Sequence, residues 1–363
     1  MIVCENCQFP YPADAMPYCC PECGGIFSLR KIDLKTSDLK SLGSGSGNFR
    51  TGLMLPESAE VVTLGEGNTP LIWIPVRGRK IGYKLESLNP TGSFKDRGTS
   101  VLVSRAKALG IKHLVEDSSG NAGSSLAAYT ARAGIRAKIY VPEDASGPKS
   151  KQIARFGAEL FPVPGPRANA AAAVLEAARS GTVYASHAYL PLGIPGIANI
   201  AYELWRQIPG KPGAVLVPVG HGSLLLGLYH GYKALQNAGI IDEVPVLIGV
   251  QSAACDPLVQ AYENGETRAV PVQPGLTLAD GVRISEPIHD REILEAVRDT
   301  GGKLVRVDED QLSRGRKELS ALGIDLEPTS ALVWNALQEQ LDWLPGPVIC
   351  IIPAPRLKSE SSI

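Results

Sequence analysis

The chain has 363 residues, 44% of them hydrophobic and 20% charged, which is room for the two packed domains of an ordinary soluble enzyme. A formal net charge of −1 without a basic stripe speaks against a nucleic-acid partner, and no apolar run approaches the length of a membrane span. Met1-Ile2-Val3-Cys4 has neither the basic start nor the apolar core of an export signal, so the expected compartment is the cytoplasm.

Five of the seven cysteines fall in the first twenty-three residues. In a chain without an export signal such a cluster reads as metal ligands in preference to disulfides. Cys4-Glu5-Asn6-Cys7 and Cys20-Pro21-Glu22-Cys23 are two C-x-x-C knuckles twelve residues apart, and Gly24 and Gly25 let backbone amides approach the sulfurs. Cys4, Cys7, Cys20 and Cys23 offer the tetrahedral thiolate set that zinc prefers, with no open position, so the expected zinc is structural. A redox pair is the alternative, disfavoured because no βαβ pattern surrounds the knuckles. Cys19 is a spare that would make a poorer turn, while Cys255 and Cys350 have the apolar surroundings of core residues. Residues 26–33 alternate weakly, as a closing strand would, which confines the ribbon to residues 1–32. Residues 41–48 have linker composition.

The main body starts near Glu60. Residues 61–71 are expected as a strand running into a Gly/Asn/Pro turn, 81–86 as a second strand, and 96–109 as a helix stopped by Gly110. Strand 113–117 leads into Ser118-Ser119-Gly120-Asn121-Ala122-Gly123 and an alanine-rich helix to Ala133. Strand 137–142, helix 149–156, strand 160–163, helix 168–179, strand 183–185 and a helix around 197–207 follow. Residues 214–219 are nearly all apolar, as a strand covered on both faces should be. Beyond Gly220-His221-Gly222-Ser223 come a helix to Ala238 and strands at 246–251, 303–307 and 348–352. This alternation predicts an α/β fold with a parallel sheet covered on both faces.

Three of the strand-to-helix turns are candidates for chemistry. Residues 85–98, L-E-S-L-N-P-T-G-S-F-K-D-R-G, place Lys95 at the head of a helix, behind the turn formers Asn89, Pro90, Thr91, Gly92 and Ser93. An amine held there suits covalent chemistry on a carbonyl, although a lone lysine beside Asp is usually solvated. In parallel α/β sheets ligands bind at the carboxyl ends of strands, where helix N-termini present amides and a positive dipole end. The amides of residues 118–122, with the Ser118 and Ser119 hydroxyls, suit a carboxylate, and residues 220–224 suit a phosphate. Neither turn matches the dinucleotide or Walker glycine patterns. One glycine turn alone is a plain connection; lysine, carboxylate and phosphate turns in one chain are harder to dismiss.

Together, L-N-P-T-G-S-F-K-D-R-G, S-S-G-N-A-G and V-P-V-G-H-G-S-L resemble the motifs of fold-type-II pyridoxal-phosphate enzymes, the threonine-synthase group in particular. The resemblance extends to T-L-G-E-G-N-T-P-L at 63–71 and E-P-T-S-A at 327–331, and covers nearly the whole chain from about residue 60. Many proteins of that group also carry an N-terminal zinc ribbon. The resemblance implies a tryptophan-synthase-β-like architecture of two parallel-sheet domains. The large, cofactor-binding one would comprise residues 55–100 and 200–358, and the small mobile one residues 101–199. A homodimer is expected. Lys95 would hold the cofactor as a Schiff base and shuttle the α-proton, Phe94 would flank the ring, and Asn121 would bond its phenolic oxygen. Ser118, Ser119, Gly120 and Ala122 would bind the carboxylate of a small amino-acid substrate. Gly220, His221, Gly222, Ser223 and Leu224 would cradle the cofactor phosphate by backbone amides. At His221 the amide is preferred over an imidazole base, because Lys95 already moves protons.

Two departures from the resemblance bear on the substrate. Where the group usually has Asn-Pro and then Glu-Gly-x-Lys-Thr, this chain has Leu190, Pro195 and Ala198 in place of the Asn, Glu and Lys. Losing a cation there argues against O-phosphohomoserine, unless Lys149, Lys151 or Arg155 compensates. The group's last strand usually runs into Thr-Gly-x-Gly-Leu-Lys. Here Pro353 brings no hydroxyl to the pyridine nitrogen, so either a neighbour such as Arg356 or Glu327 reaches it or it goes unpaired. The expected activity is elimination or replacement of a β or γ substituent, that of a carbon–oxygen lyase. O-phosphohomoserine to threonine is the first candidate, and a β-replacing synthase or Ser/Thr dehydratase-like lyase is the rival. An inactive, cofactor-binding partner subunit is the alternative of another class, which the intact lysine turn opposes.

Overall fold

The computed structural model describes residues 1–34, 55–56, 59–145 and 147–355. The linker expected at 41–48 and the segment from Arg356 onward lie outside the described residues. The strands are β1 (Ile2–Cys4), β2 (Phe27–Leu29), β3 (Leu71–Val76), β4 (Arg79–Lys84), β5 (His113–Glu116), β6 (Arg136–Pro142), β7 (Glu159–Val163), β8 (Val183–Tyr184), β9 (Ala214–Pro218), β10 (Val246–Ser252), β11 (Lys303–Val307) and β12 (Val348–Ile351). The chain divides into two compact units, one drawn from Met1–Glu66 and Asn89–Ile197, the other from Gly67–Leu88 and Ala198–Leu357.

In the first unit β1 and β2 pair antiparallel, Ile2 opposite Leu29. This ribbon is fastened to its unit from two sides. Arg105, late in the helix Lys95–Ala108, donates to the carbonyls of Pro12 at 2.6 Å and Ala13 at 3.1 Å. Tyr18 packs on Tyr184 and Tyr189, with ring centroids 5.7 Å away in each case. The rest of the unit is a parallel sheet in the order β7-β6-β5-β8. Parallel pairing puts the chain leaving β5 and the chain leaving β8 at the same edge of the sheet. The sequence signals at helix ends hold: Gly134 closes the helix Asn121–Ala133 with a φ of 70°, and Pro148 opens the helix Pro148–Arg155, where no N–H is needed.

The second unit is built on one sheet, β11-β10-β9-β12-β4-β3, parallel except for β3 against β4. β9 is buried at every position, in line with its apolar run. Leu216, Ile248, Val250, Cys350 and Trp334 share one core cluster. Cys255 and Cys350 are both buried, as their surroundings implied.

The strand expected at the start of 61–71 does not form, the Gly/Asn/Pro turn expected after it does, and β3 begins at Leu71. Gly65, Gly67 and Asn68 have φ of 91°, 93° and 51°, left-handed values that fit the expected turn. The antiparallel edge has its own cause in sequence. Arg77 and Gly78 both take positive φ, 47° and 78°, in the two-residue turn whose twist suits a hairpin, and Pro75 is tolerated because β3 is an edge.

Buried charge pins residues 68 and 69 within the second unit. The Asn68 amide donates to Glu203 Oε1 at 2.7 Å. Lys84, fully buried, donates to the Thr69 carbonyl at 2.7 Å, Glu203 Oε2 at 2.6 Å and Gln207 Oε1 at 3.0 Å. Replacing Glu203 with Ala strands the Lys84 ammonium, so the substitution is expected to destabilise by about 3–5 kcal/mol. Chemical denaturation measures this, and a loss below about 1 kcal/mol would mean that water or rearrangement rescues the lysine.

Candidate active site

Lys95 is the first residue of the helix Lys95–Ala108, with Phe94 as its N-cap and the Lys95 Nζ 4.7 Å from the Phe94 ring centroid. The next residue fixes the turn. Asp96 is fully buried; its Oδ2 accepts the Thr91 amide at 2.7 Å, and its Oδ1 accepts the Thr91 hydroxyl and the Ser125 hydroxyl, each at 2.6 Å. Ser125 belongs to the helix Asn121–Ala133, so one carboxylate ties the lysine turn to the helix behind the carboxylate turn. Burial brings the Lys95 amine down to about 8, with Glu116 pulling it up and Arg167 pushing it further down.

The carboxylate turn leaves β5 at Glu116. Ser118 Oγ accepts the Gly120 amide at 3.2 Å, and a Cβ at Gly123 would lie 1.9 Å from the Ser118 carbonyl oxygen, so only glycine lets the helix close onto the turn. Asn121 Oδ1 is buried with no hydrogen-bond partner among the described residues. Ser118, Ser119, Gly120, Asn121 and Ala122 therefore lie in the same unit as Phe94 and Lys95. Glu116 itself is buried, with its Oε1 2.6 Å from His187 Nδ1 beyond β8.

Segment 190–196 packs on the lysine helix through glycine. A Cβ at Gly98 would lie 3.1 Å from the Gly193 carbonyl oxygen, and one at Gly196 2.1 Å from that of Arg97. Leu190 and Pro195, the residues that depart from the group's pattern, are buried here, and Ala198 is buried in the second unit.

Gly220, His221, Gly222, Ser223 and Leu224 are placed in the second unit, where β9 turns into the helix Ser223–Asn237. Gly222 is its N-cap with a φ of 85°, and a Cβ there would lie 2.2 Å from Ile293 Cδ1. Glycine at 222 is thus required by backbone and packing together. At the end of β12, Pro353 is buried, and the Ala354 amide and carbonyl both bond Ser330 Oγ, at 3.1 and 2.8 Å.

At the ribbon, the Sγ atoms of Cys4, Cys7, Cys20 and Cys23 all lie within 4.8 Å of one another. Cys4–Cys23, Cys7–Cys20 and Cys7–Cys23 are 3.5, 3.6 and 3.4 Å apart. Thiolates about 2.3 Å from a tetrahedral zinc would sit about 3.8 Å apart, so the four fit such an ion, and Cys19 is outside the set.

Residues 62–354 match the family model described as pyridoxal-phosphate dependent enzyme. The chain belongs to that family. A threonine synthase from Methanocaldococcus jannaschii is 33% identical over 354 residues, covering 93% of this chain and 87% of that protein. One from Methanosarcina acetivorans is 30% identical over 377 residues, covering 99% and 92%. Among solved structures, a threonine deaminase from T.th. is 30% identical with a TM-score of 0.68, covering 82% of this chain and 94% of its own. Maize serine racemase, 20% identical with a TM-score of 0.71 over 81% and 89%, shares the fold.

The residues of this pyridoxal-phosphate enzyme suit the cofactor. A buried amide oxygen on Asn121 awaits a donor, Lys95 is an amine whose hold on its proton is weakened by burial, and the glycine turn leads into a helix N-terminus. Asp96 and Glu116 are the residues that sequence reasoning passed over. Their signals were an acid in the first turn directly after the lysine, and an acid closing an otherwise apolar strand. Because only the neutral amine attacks an aldehyde, uptake of pyridoxal phosphate by cofactor-free protein is expected to accelerate with pH through a midpoint near 8, set by Lys95. Stopped-flow absorbance reads this rate, and a midpoint near the ordinary lysine value would show that the amine is solvated.

Proposed function

We propose that this chain is a threonine-synthase-like lyase that eliminates or replaces a β or γ substituent of a small amino acid. The observation that carries the reading is Lys95, weakened as a base by burial and fixed by Asp96 beside the turn that bears Asn121. When bound, pyridoxal phosphate supplies the electron sink for the α-carbanion. Lys95 would hold the cofactor by its aldehyde and move the α-proton, Phe94 would flank the ring, and the Asn121 amide would bond the ring oxygen. Ser118, Ser119, Gly120 and Ala122 hold the substrate carboxylate. The backbone of Gly220, His221, Gly222, Ser223 and Leu224 holds the cofactor phosphate at the helix N-terminus. The domain boundary expected at 100/101 falls inside the helix Lys95–Ala108, so the unit of Asn89–Ile197 keeps Lys95 and Asn121 together; the assembly is a cytoplasmic homodimer. Cys4, Cys7, Cys20 and Cys23 hold a structural zinc.

The first candidate reaction is O-phosphohomoserine to threonine, in keeping with the names of the curated relatives. Buried, apolar Leu190, Pro195 and Ala198 favour a second reading, a β-replacing synthase or a Ser/Thr dehydratase-like lyase, because no cation stands at those positions for a phosphorylated substrate. Product analysis with O-phosphohomoserine, serine, O-acetylserine and O-phosphoserine separates them: threonine from the first substrate alone supports the first, and turnover of the others alone the second. In either case Lys95→Ala is expected to abolish turnover and the visible cofactor band; retained turnover would remove Lys95 from its role. Protein purified without chelators is expected to contain about one zinc per chain, lost on mutating Cys20. Metal analysis finding none would refute the zinc site.

A further inference from the structure

Glu116 takes no part in cofactor or carboxylate binding as proposed, yet its surroundings are those of a working group. It closes β5 two residues ahead of Ser118, at the carboxyl edge of the sheet, and is 1% exposed. A structural carboxylate is normally bonded at both oxygens. Here Oε1 meets His187 Nδ1 at 2.6 Å, while Oε2 is buried with no hydrogen-bond partner among the described residues. The charged and titratable groups that face it are Asp117 of its own turn, Lys95 and Arg167 at the heads of their helices, and His187 and Tyr184 of the β8 segment. Burial, and then Asp117, push the Glu116 carboxyl well above the usual carboxylate range, against the pull of Lys95 and Arg167. His187 is 19% exposed at its side chain, so it links the buried acid to water. An acid whose hold on its proton is strengthened by burial, with one oxygen open and a route to solvent, has the properties of a proton carrier.

We propose that Glu116, relayed through His187, carries the proton for a hydroxyl at the substrate's β carbon. The proposal rests on the pyridoxal-phosphate-dependent elimination set out above and deepens it. In loss of water, Lys95 takes the α-proton, the β carbon–oxygen bond breaks with its electron pair passing to oxygen, and Glu116 gives the proton that makes the departing group water. In addition of water, the same steps run backwards: Glu116 takes a proton from the attacking water and Lys95 returns one to the α carbon. His187 then restores the Glu116 proton from or to solvent. Both a synthase that adds water and a dehydratase that removes it need this carrier. A chloride leaving group does not, because it departs unprotonated.

The test compares β-oxygen chemistry with chloride loss in the holoenzyme. The first is 2-oxo acid from L-serine or L-threonine, or threonine from O-phosphohomoserine; the second is chloride release from β-chloro-L-alanine. In Glu116→Gln the cofactor band is expected to stay, chloride release to remain within about threefold, and β-oxygen chemistry to fall about a hundredfold or more, the scale of a lost general acid. In the wild type the ratio of serine or threonine loss to chloride release should fall as pH rises through the titration of the acid, which tests the idea even if the variant does not fold. Equal losses in the variant, a ratio flat with pH, or a wild type that releases chloride but neither makes nor breaks a β carbon–oxygen bond would overturn it. A wild type with neither cofactor band nor chloride release would overturn the pyridoxal-phosphate reading itself.

Discussion

The carboxylate of Asp96 is out of contact with water, and an anion in that position persists only where donors converge on it. The Thr91 amide, the Thr91 hydroxyl and the Ser125 hydroxyl do so, from the turn before it and from the helix behind it. Its place in the first turn of Lys95–Ala108 adds the favourable end of the helix dipole. Because Lys95 is its neighbour in the chain, the same bonds fix where the amine emerges. The Ser118–Ala122 turn is anchored through the same contact, since Ser125 lies one turn along the helix that this loop opens.

Around that anchor, close backbone approach does what side chains elsewhere do. Gly98 faces Gly193, Gly196 faces the Arg97 carbonyl, and Gly123 faces that of Ser118. The last two are too short for a Cβ and the first is tight, so the segment carrying Leu190 and Pro195 is pressed onto the lysine helix with apolar, buried side chains.

Burial acts on Lys95 and Glu116 in opposite senses, lowering the amine and raising the acid, while each pulls the other back toward its charged form. The result is a weakened base and a strengthened hold on an acid proton within one unit, the separation of roles that acid–base catalysis on adjacent carbons requires.

Much of this was legible in the sequence. The four ribbon cysteines, the alternation of strands and helices, the apolar run that became β9, and Lys95 in its turn are local patterns, set by spacing and residue type. The run at 61–71 misleads only at its apolar start, which resembles a strand; its Gly/Asn/Pro turn was legible and takes positive φ at Gly65, Gly67 and Asn68. What Asp96, Glu116 and Lys84 do was not legible either. Glu116 meets His187 from 71 positions away, and Lys84 meets Glu203 from 119 away. The sequence by itself determined which groups are present and which secondary elements carry them. Only the tertiary structure decided which charges are buried and what faces them, because desolvation and hydrogen-bond partnership depend on contacts between distant segments, and no local pattern encodes those.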